Sequence, residues 1–209
     1  MDAFKISVKF YVEDDSQLRP HEFVPILHSW IQNRLVPDHM LIDVADYEHV
    51  HNGPGTLLVA HEANFYTDRF DGRLGLMYSR KMPWVPEDKS SGSLEGSFVD
   101  RLRQAFKAAL EACDRLESDS RLAGRIRFST NEAAIRLDDR LLAPNTPETF
   151  EQVRPDIERF ARELYAGSDV EIEHYPSPRT LLEIHIQASD APGIATLLHR
   201  LSAARAAAV

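Results

Sequence analysis

The stretch Phe4-Lys5-Ile6-Ser7-Val8-Lys9-Phe10-Tyr11-Val12 alternates without a fault. Phe4, Ile6, Val8, Phe10 and Val12 share one side; Lys5, Ser7, Lys9 and Tyr11 share the other. Period two marks a half-buried strand, its apolar side on a core and its polar side toward water. Asp14-Asp15-Ser16 is turn-forming and ends it. Phe23, Ile26, Leu27, Trp30 and Ile31 then recur at three and four, the stripe of an amphipathic helix. Pro20 and Pro25 lie near the start of that helix, where a missing N–H costs least, and Pro37 lies beyond its end. The chain therefore opens strand, turn, helix.

The same reasoning carries outward. Leu41 to Tyr47 reads as a second strand and Leu57 to Tyr66 as a third, with the turn His51-Asn52-Gly53-Pro54-Gly55 between them. Phe70-Asp71-Gly72 is a hairpin turn into a fourth strand, Arg73 to Arg80. Residues 82–92 are rich in Pro, Ser and Gly and read as a mobile loop. Phe98, Leu102, Ala105, Phe106, Ala109, Leu110, Cys113 and Leu116 form the longest helical stripe. Ile126 to Ser129 and Ala133 to Leu137 read as short strands. Thr146-Pro147 is an N-cap and first-turn pair. It opens a helix carrying Phe150, Val153, Ile157, Phe160 and Leu164, which Pro155 should kink or split. Val170 to Tyr175 and Leu181 to Ile186 are strands, and Ile194, Leu197, Leu198 and Leu201 mark a last helix before an alanine-rich tail that should fray.

Strands and helices mix without strict alternation, so the expected class is α+β: a mostly antiparallel sheet with helices on one face. An echo links two strand-to-helix junctions. Asp14-Asp15-Ser16-Gln17-Leu18 is followed by Pro20; Asp138-Asp139-Arg140-Leu141-Leu142 is followed by Pro144. The echo fits two ferredoxin-like halves, residues 1–130 and 131–209, packed as one compact body. The competing account is a chance likeness between two short turns.

Composition narrows the function. Of 209 residues, 43% are hydrophobic and 27% charged, enough for a real core. No apolar run approaches the about 18 residues of a membrane span, so no membrane association is expected. No basic stretch precedes an apolar one at the N-terminus, so no secretory signal is expected. A single cysteine, Cys113, fits a reducing cytoplasm. Acids outnumber bases 33 to 24, a net charge of −9, which opposes a broad grip on nucleic acid.

The window from Asp38 to Asp71 concentrates ionisable groups. It holds seven acids, four of the nine histidines (His39, His49, His51 and His61) and a single base, Arg69. Both parities of its strands are partly apolar with an ionisable group set in, as in a pocket wall. Asp43, His49 and His61 offer the carboxylate and imidazole donors of a divalent transition metal. Asp46 or Glu62 would then be the general base. Tyr47 and Tyr66 would be pocket walls. Arg73 and Arg80 would hold an acidic ligand under Trp84. The plainer reading makes His39 and His51 loop residues, and Asp46 and His61 partners of turn backbone or of Tyr47. The turn at residues 51–55 and Ser90-Ser91-Gly92-Ser93 offer anion sites or, more economically, a plain turn and a helix cap. In the second half Arg125, Arg127, Arg136, Glu171, Glu173, Glu183 and His185 share a polar sheet face, either a solvated ion-pair lattice or a dimer surface. Cys113 lies on an apolar stripe and reads as inert.

Two functions follow as expectations. One is a small-ligand-binding or protein-interaction module with a regulatory role, working as a homodimer. The other is a metal-assisted hydrolase with its Asp/His site on the second and third strands. An RNA-binding module is opposed by the acidic balance and by the absence of an aromatic-basic strand motif.

Overall fold

The computed structural model describes residues 1–50, 53–83 and 96–206. The opening stretch becomes β1 (Ile6–Tyr11), and it is more central than a half-buried strand. β5 (Gly75–Arg80) pairs with it antiparallel on one side and β6 (Glu132–Leu137) on the other. The eight-stranded antiparallel sheet has the order β2-β3-β4-β5-β1-β6-β8-β7. Its remaining strands are β2 (Leu41–Asp46), β3 (Thr56–Ala60), β4 (Ala63–Asp68), β7 (Val170–His174) and β8 (Leu182–Ala188). The fold class is α+β.

Four helices, α1 (Phe23–Gln32), α2 (Phe98–Glu117), α3 (Pro147–Leu164) and α4 (Ile194–Ala206), pack on one face. The apolar side of β1 meets them: the Phe10 ring stands edge-on to Phe106 at 5.7 Å, and Phe106 meets Phe160 of α3 at 4.7 Å. Ser97 caps α2 by accepting the Asp100 N–H, while the Asp100 carboxylate accepts the Ser97 N–H. Pro155 does not split α3, which runs unbroken. Pro155 and Glu151 are both exposed, so the carbonyl the proline leaves unpaired faces water. None of the described helices is long and apolar enough to cross a membrane.

The expected third strand is two strands. β3 and β4 form a hairpin, and His61-Glu62 is its turn. The sequence carries the signal: Leu58 and Ala60 are buried, then Ala63 and Phe65, so the apolar parity switches across His61-Glu62. Of the expected strand from Ile126 to Ser129, only Phe128 bridges to Val12.

The two halves share an order. β1 leads through α1 into the meander β2-β3-β4-β5, which returns beside β1, and then into α2. β6 leads through α3 into β7-β8, which returns beside β6, and then into α4. β1 and β6 meet antiparallel at the centre, so the two strand-to-helix junctions emerge at opposite ends of the sheet. The first half has two more strands in its meander.

Candidate functional site

The ionisable residues of the second and third expected strands do not converge. Asp43 accepts the Val44 N–H at 2.8 Å, Asp46 accepts the Glu48 N–H at 2.9 Å, and Glu62 accepts the Met40 N–H at 2.9 Å. Val44 lies in β2, an edge strand, and Met40 and Glu48 flank its two ends, so these carboxylates serve local backbone in and beside that strand. Burial pushes the Glu62 carboxyl up, but the Met40 N–H, its own backbone N–H and the nearby His39 and His61 together outweigh it and the net shift is down. His61 is exposed in the β3–β4 turn, its N–H on the Met40 carbonyl at 2.8 Å, and His49 is exposed beyond the other end of β2.

Asp46 and Glu62 therefore flank opposite ends of a six-residue strand, about 17 Å apart at about 3.4 Å per residue. The expected metal set of Asp43, His49 and His61 is not assembled, and no group of three or more His, Cys, Asp or Glu among the described residues can hold a metal ion. The general-base candidates, Asp46 or Glu62, therefore have no assembled metal set beside them among the described residues.

Tyr47 and Tyr66 do not line one pocket. Tyr66 lies on the sheet face opposite the helices, beside Ser79; burial raises its phenol, and the Ser79 hydroxyl lowers it less. That face centres on Asp138, which accepts from Ser7, from Ser79 at 3.1 Å and from Arg136 at 2.7 Å. Arg73 is engaged rather than open to a ligand: it forks onto Glu132, with Nη1 at 2.8 Å and Nη2 at 2.5 Å, and stacks 4.1 Å over Tyr11. Arg80 donates to the Met82 carbonyl at 2.7 Å. His39 is more than a loop residue, with its ring 5.3 Å from Phe65 and its Nε2 3.2 Å from the Tyr78 hydroxyl. Burial, then Arg80, holds its imidazole below the usual value. Cys113 is buried, and burial raises its thiol. His51, Asn52, Trp84 and Ser90 to Ser93 lie outside the described residues, as does most of the loop 82–92.

In the second half, Arg136, Glu171, Glu173, Glu183 and His185 share the helix-free face, but Arg125 and Arg127 pair elsewhere, with Glu22 and Glu117. Hydrogen bonding to Glu183 raises His185 despite burial. A groove of about 210 Å³ between Tyr11, Glu132, Glu173 and His185 lies here.

The polar side of β1 holds the residue that sequence reasoning missed. Lys9 is 2% exposed, and its ammonium donates to Asp68 at 2.8 Å, Asp71 at 2.6 Å and the Arg73 carbonyl at 2.9 Å. All three of its donors are used. Burial pushes the Asp71 carboxyl up, but the Lys9 hydrogen bond and charge outweigh it and hold it below the usual range. The Tyr11 phenol is raised by burial, then by Asp71. Lys9 thus pins the β4–β5 turn onto β1. The warning in the sequence was a lysine inside an apolar strand with two aspartates flanking a later hairpin turn.

That pinned turn forms one wall of a pocket over the first strand-to-helix junction. The cavity is about 230 Å³, floored by Leu18, Phe23 and Leu74, with Tyr47, Glu48 and Val50 of the β2–β3 connection opposite. Arg69 of the turn is ion-paired with Asp15 of the junction. Gly55, at φ +64°, lets the β2–β3 connection lie against β4: a Cβ there would be 2.1 Å from the Thr67 carbonyl oxygen. The lining is apolar with a few polar groups, the usual make-up of a binding pocket. No known protein family, curated protein or solved structure matches the chain.

Proposed function

We propose that this protein is a binding module whose recognition site is the pocket over the first junction, and that it takes a small branched aliphatic group carried next to a positive charge. The observation that carries this reading is the cavity of about 230 Å³ between Leu18, Phe23, Leu74 and Val50, closed by a hairpin turn that Lys9 and Arg69 tie to the junction. The apolar floor of Leu18, Phe23 and Leu74 selects an apolar group. Asp15 already neutralises Arg69, which leaves Glu48 as the charge in the lining with no ion pair among the described residues. A charge at that rim favours a cation on the ligand. The repeated strand-helix-meander-helix order agrees with two ferredoxin-like halves, and the module acts by occupancy of the pocket rather than by chemistry at the edge of β2.

The hydrolase alternative lacks comparable support, since its carboxylates and histidines are spread along both ends of β2. The test is a titration with 3-methylbutylamine, followed by amide chemical shifts. The expected result is saturable shifts at Tyr47, Thr67 and Leu74, abolished in Val50→Arg, where a cation fills the mouth. Shifts confined to the groove between Tyr11 and Glu173, or none at all, would overturn the reading.

A further inference from the structure

The second junction presents the shape that the pocket lacks. Leu141 is 95% exposed and Leu142 49% exposed. They are held out on a fixed turn: Asp139 Oδ1 accepts the N–H groups of Leu141 at 3.1 Å and Leu142 at 3.3 Å, and the Asp139 carbonyl accepts the Ala143 N–H at 2.8 Å. Pro144 follows and stiffens the exit. Burying an aliphatic side chain releases about 1.5–3 kcal/mol, so two leucines held rigidly in water are a standing incentive to associate. Beside them, the Arg140 guanidinium donates to the Arg179 carbonyl at 3.0 Å, which holds a cation in the turn that carries the apolar knob, in a chain of net charge −9.

A protruding aliphatic group beside a cation is the ligand chemistry inferred for the pocket. Its own pocket is out of reach. β1 and β6 are antiparallel, so knob and pocket lie at opposite ends of the sheet, separated by at least the length of a six-residue strand, about 17 Å. At the edge strand β2, Asp43 already occupies the Val44 N–H, one of the backbone donors that strand pairing would need.

We propose that the occupant is a second copy of this chain: Leu141 of one copy seats in the pocket of the next, with Arg140 facing Glu48. This rests on the pocket reading above and names its partner. The cavity of about 230 Å³ has room for several waters at about 30 Å³ each, and so for one branched side chain. Knob and socket are different surfaces, so the contact is either exchanged reciprocally about a two-fold axis or repeated head-to-tail into a ring or an open row.

The test uses the full chain and two variants at exposed positions, Leu141→Asp and Val50→Arg, checked for unchanged far-ultraviolet circular dichroism. Sedimentation velocity over a concentration series should show the wild-type mass rising with concentration and each variant staying monomeric. An equal mixture of the two should form a dimer and nothing larger, because Leu141→Asp keeps an intact socket and Val50→Arg an intact knob. Added 3-methylbutylamine should lower the wild-type mass. A wild type that stays monomeric at millimolar concentration overturns the proposal, as does a Leu141→Asp protein that still assembles. A mixture that stays monomeric overturns the knob-in-socket contact. If the amine shifts pocket amides while the wild type stays monomeric, the pocket reading stands and only its occupant is refuted.

Discussion

The two strand-to-helix junctions begin with the same Asp-Asp step and end differently. After β1, Leu18 turns inward, 4% exposed, and is roofed by the β2–β3 connection and the β4–β5 turn. After β6, the inward place goes to Ala143, fully buried, while Leu141 and Leu142 face out. The turn bonding explains the shift. Asp14 bonds the N–H two residues on, at Ser16, and so does Asp139 at Leu141; Asp14 therefore matches Asp139, and Leu18 matches Ala143. Each junction is pinned to its own meander, the first by Lys9 and Arg69, the second by Asn145. The Asn145 amide donates to Thr180 Oγ1 at 2.9 Å and the Leu181 carbonyl at 3.0 Å, and its Oδ1 lies 2.6 Å from His174 Nε2. The extra hairpin of the first half buries its junction. The second half, lacking that hairpin, leaves its leucines bare.

The comparison breaks most easily at the pins. Lys9→Met should cost about 3–5 kcal/mol in urea unfolding, because it strands Asp68 and Asp71 near the core without a counter-charge. A cost below about 1 kcal/mol would mean that the turn is held by something else. Gly55→Ala should cost about 1–3 kcal/mol from the positive φ alone, with the Thr67 contact added, and should weaken amine binding at the pocket. Asn145→Ala should cost about 1–3 kcal/mol, as a buried amide network does, without changing amine binding. Loss of binding there would show that the two junctions are not independent.

The acid response is the smallest effect. Asp71 is lowered on folding, so its contribution is complete above the unfolded carboxyl value of about 3.9 and is lost as pH falls through its folded value. Asp71→Asn should therefore be less stable than wild type at pH 7 and should lose stability less steeply below about pH 4. Identical acid limbs would remove Asp71 from the account.

Periodicity made β1, α2 and the α+β class legible, because each rests on a long run of apolar positions at one spacing. It missed the β3–β4 turn, since a continuous strand was read through His61-Glu62 although the apolar parity switches there. The site was legible as a region but not in its residues. The window from Asp38 to Asp71 does contribute Tyr47, Val50, Thr67 and Arg69 to the pocket. Its carboxylates drew attention as a metal ligand, Asp43, and as general bases, Asp46 and Glu62, yet all three accept from nearby backbone N–H groups. Short-range capping of this kind depends on local turns that spacing does not encode. Lys9 was hidden because alternation alone cannot tell a solvated face from one closed by neighbouring strands.

Urea unfolding of Leu18→Ala and Leu141→Ala side by side, at concentrations where the chain is monomeric, tests the contrast between covered and bare junctions most directly. The account predicts a loss of about 2–5 kcal/mol for Leu18→Ala, a buried leucine truncation, and a change within about 0.5 kcal/mol for Leu141→Ala. Equal losses at the two positions, or a larger one at Leu141, would contradict it.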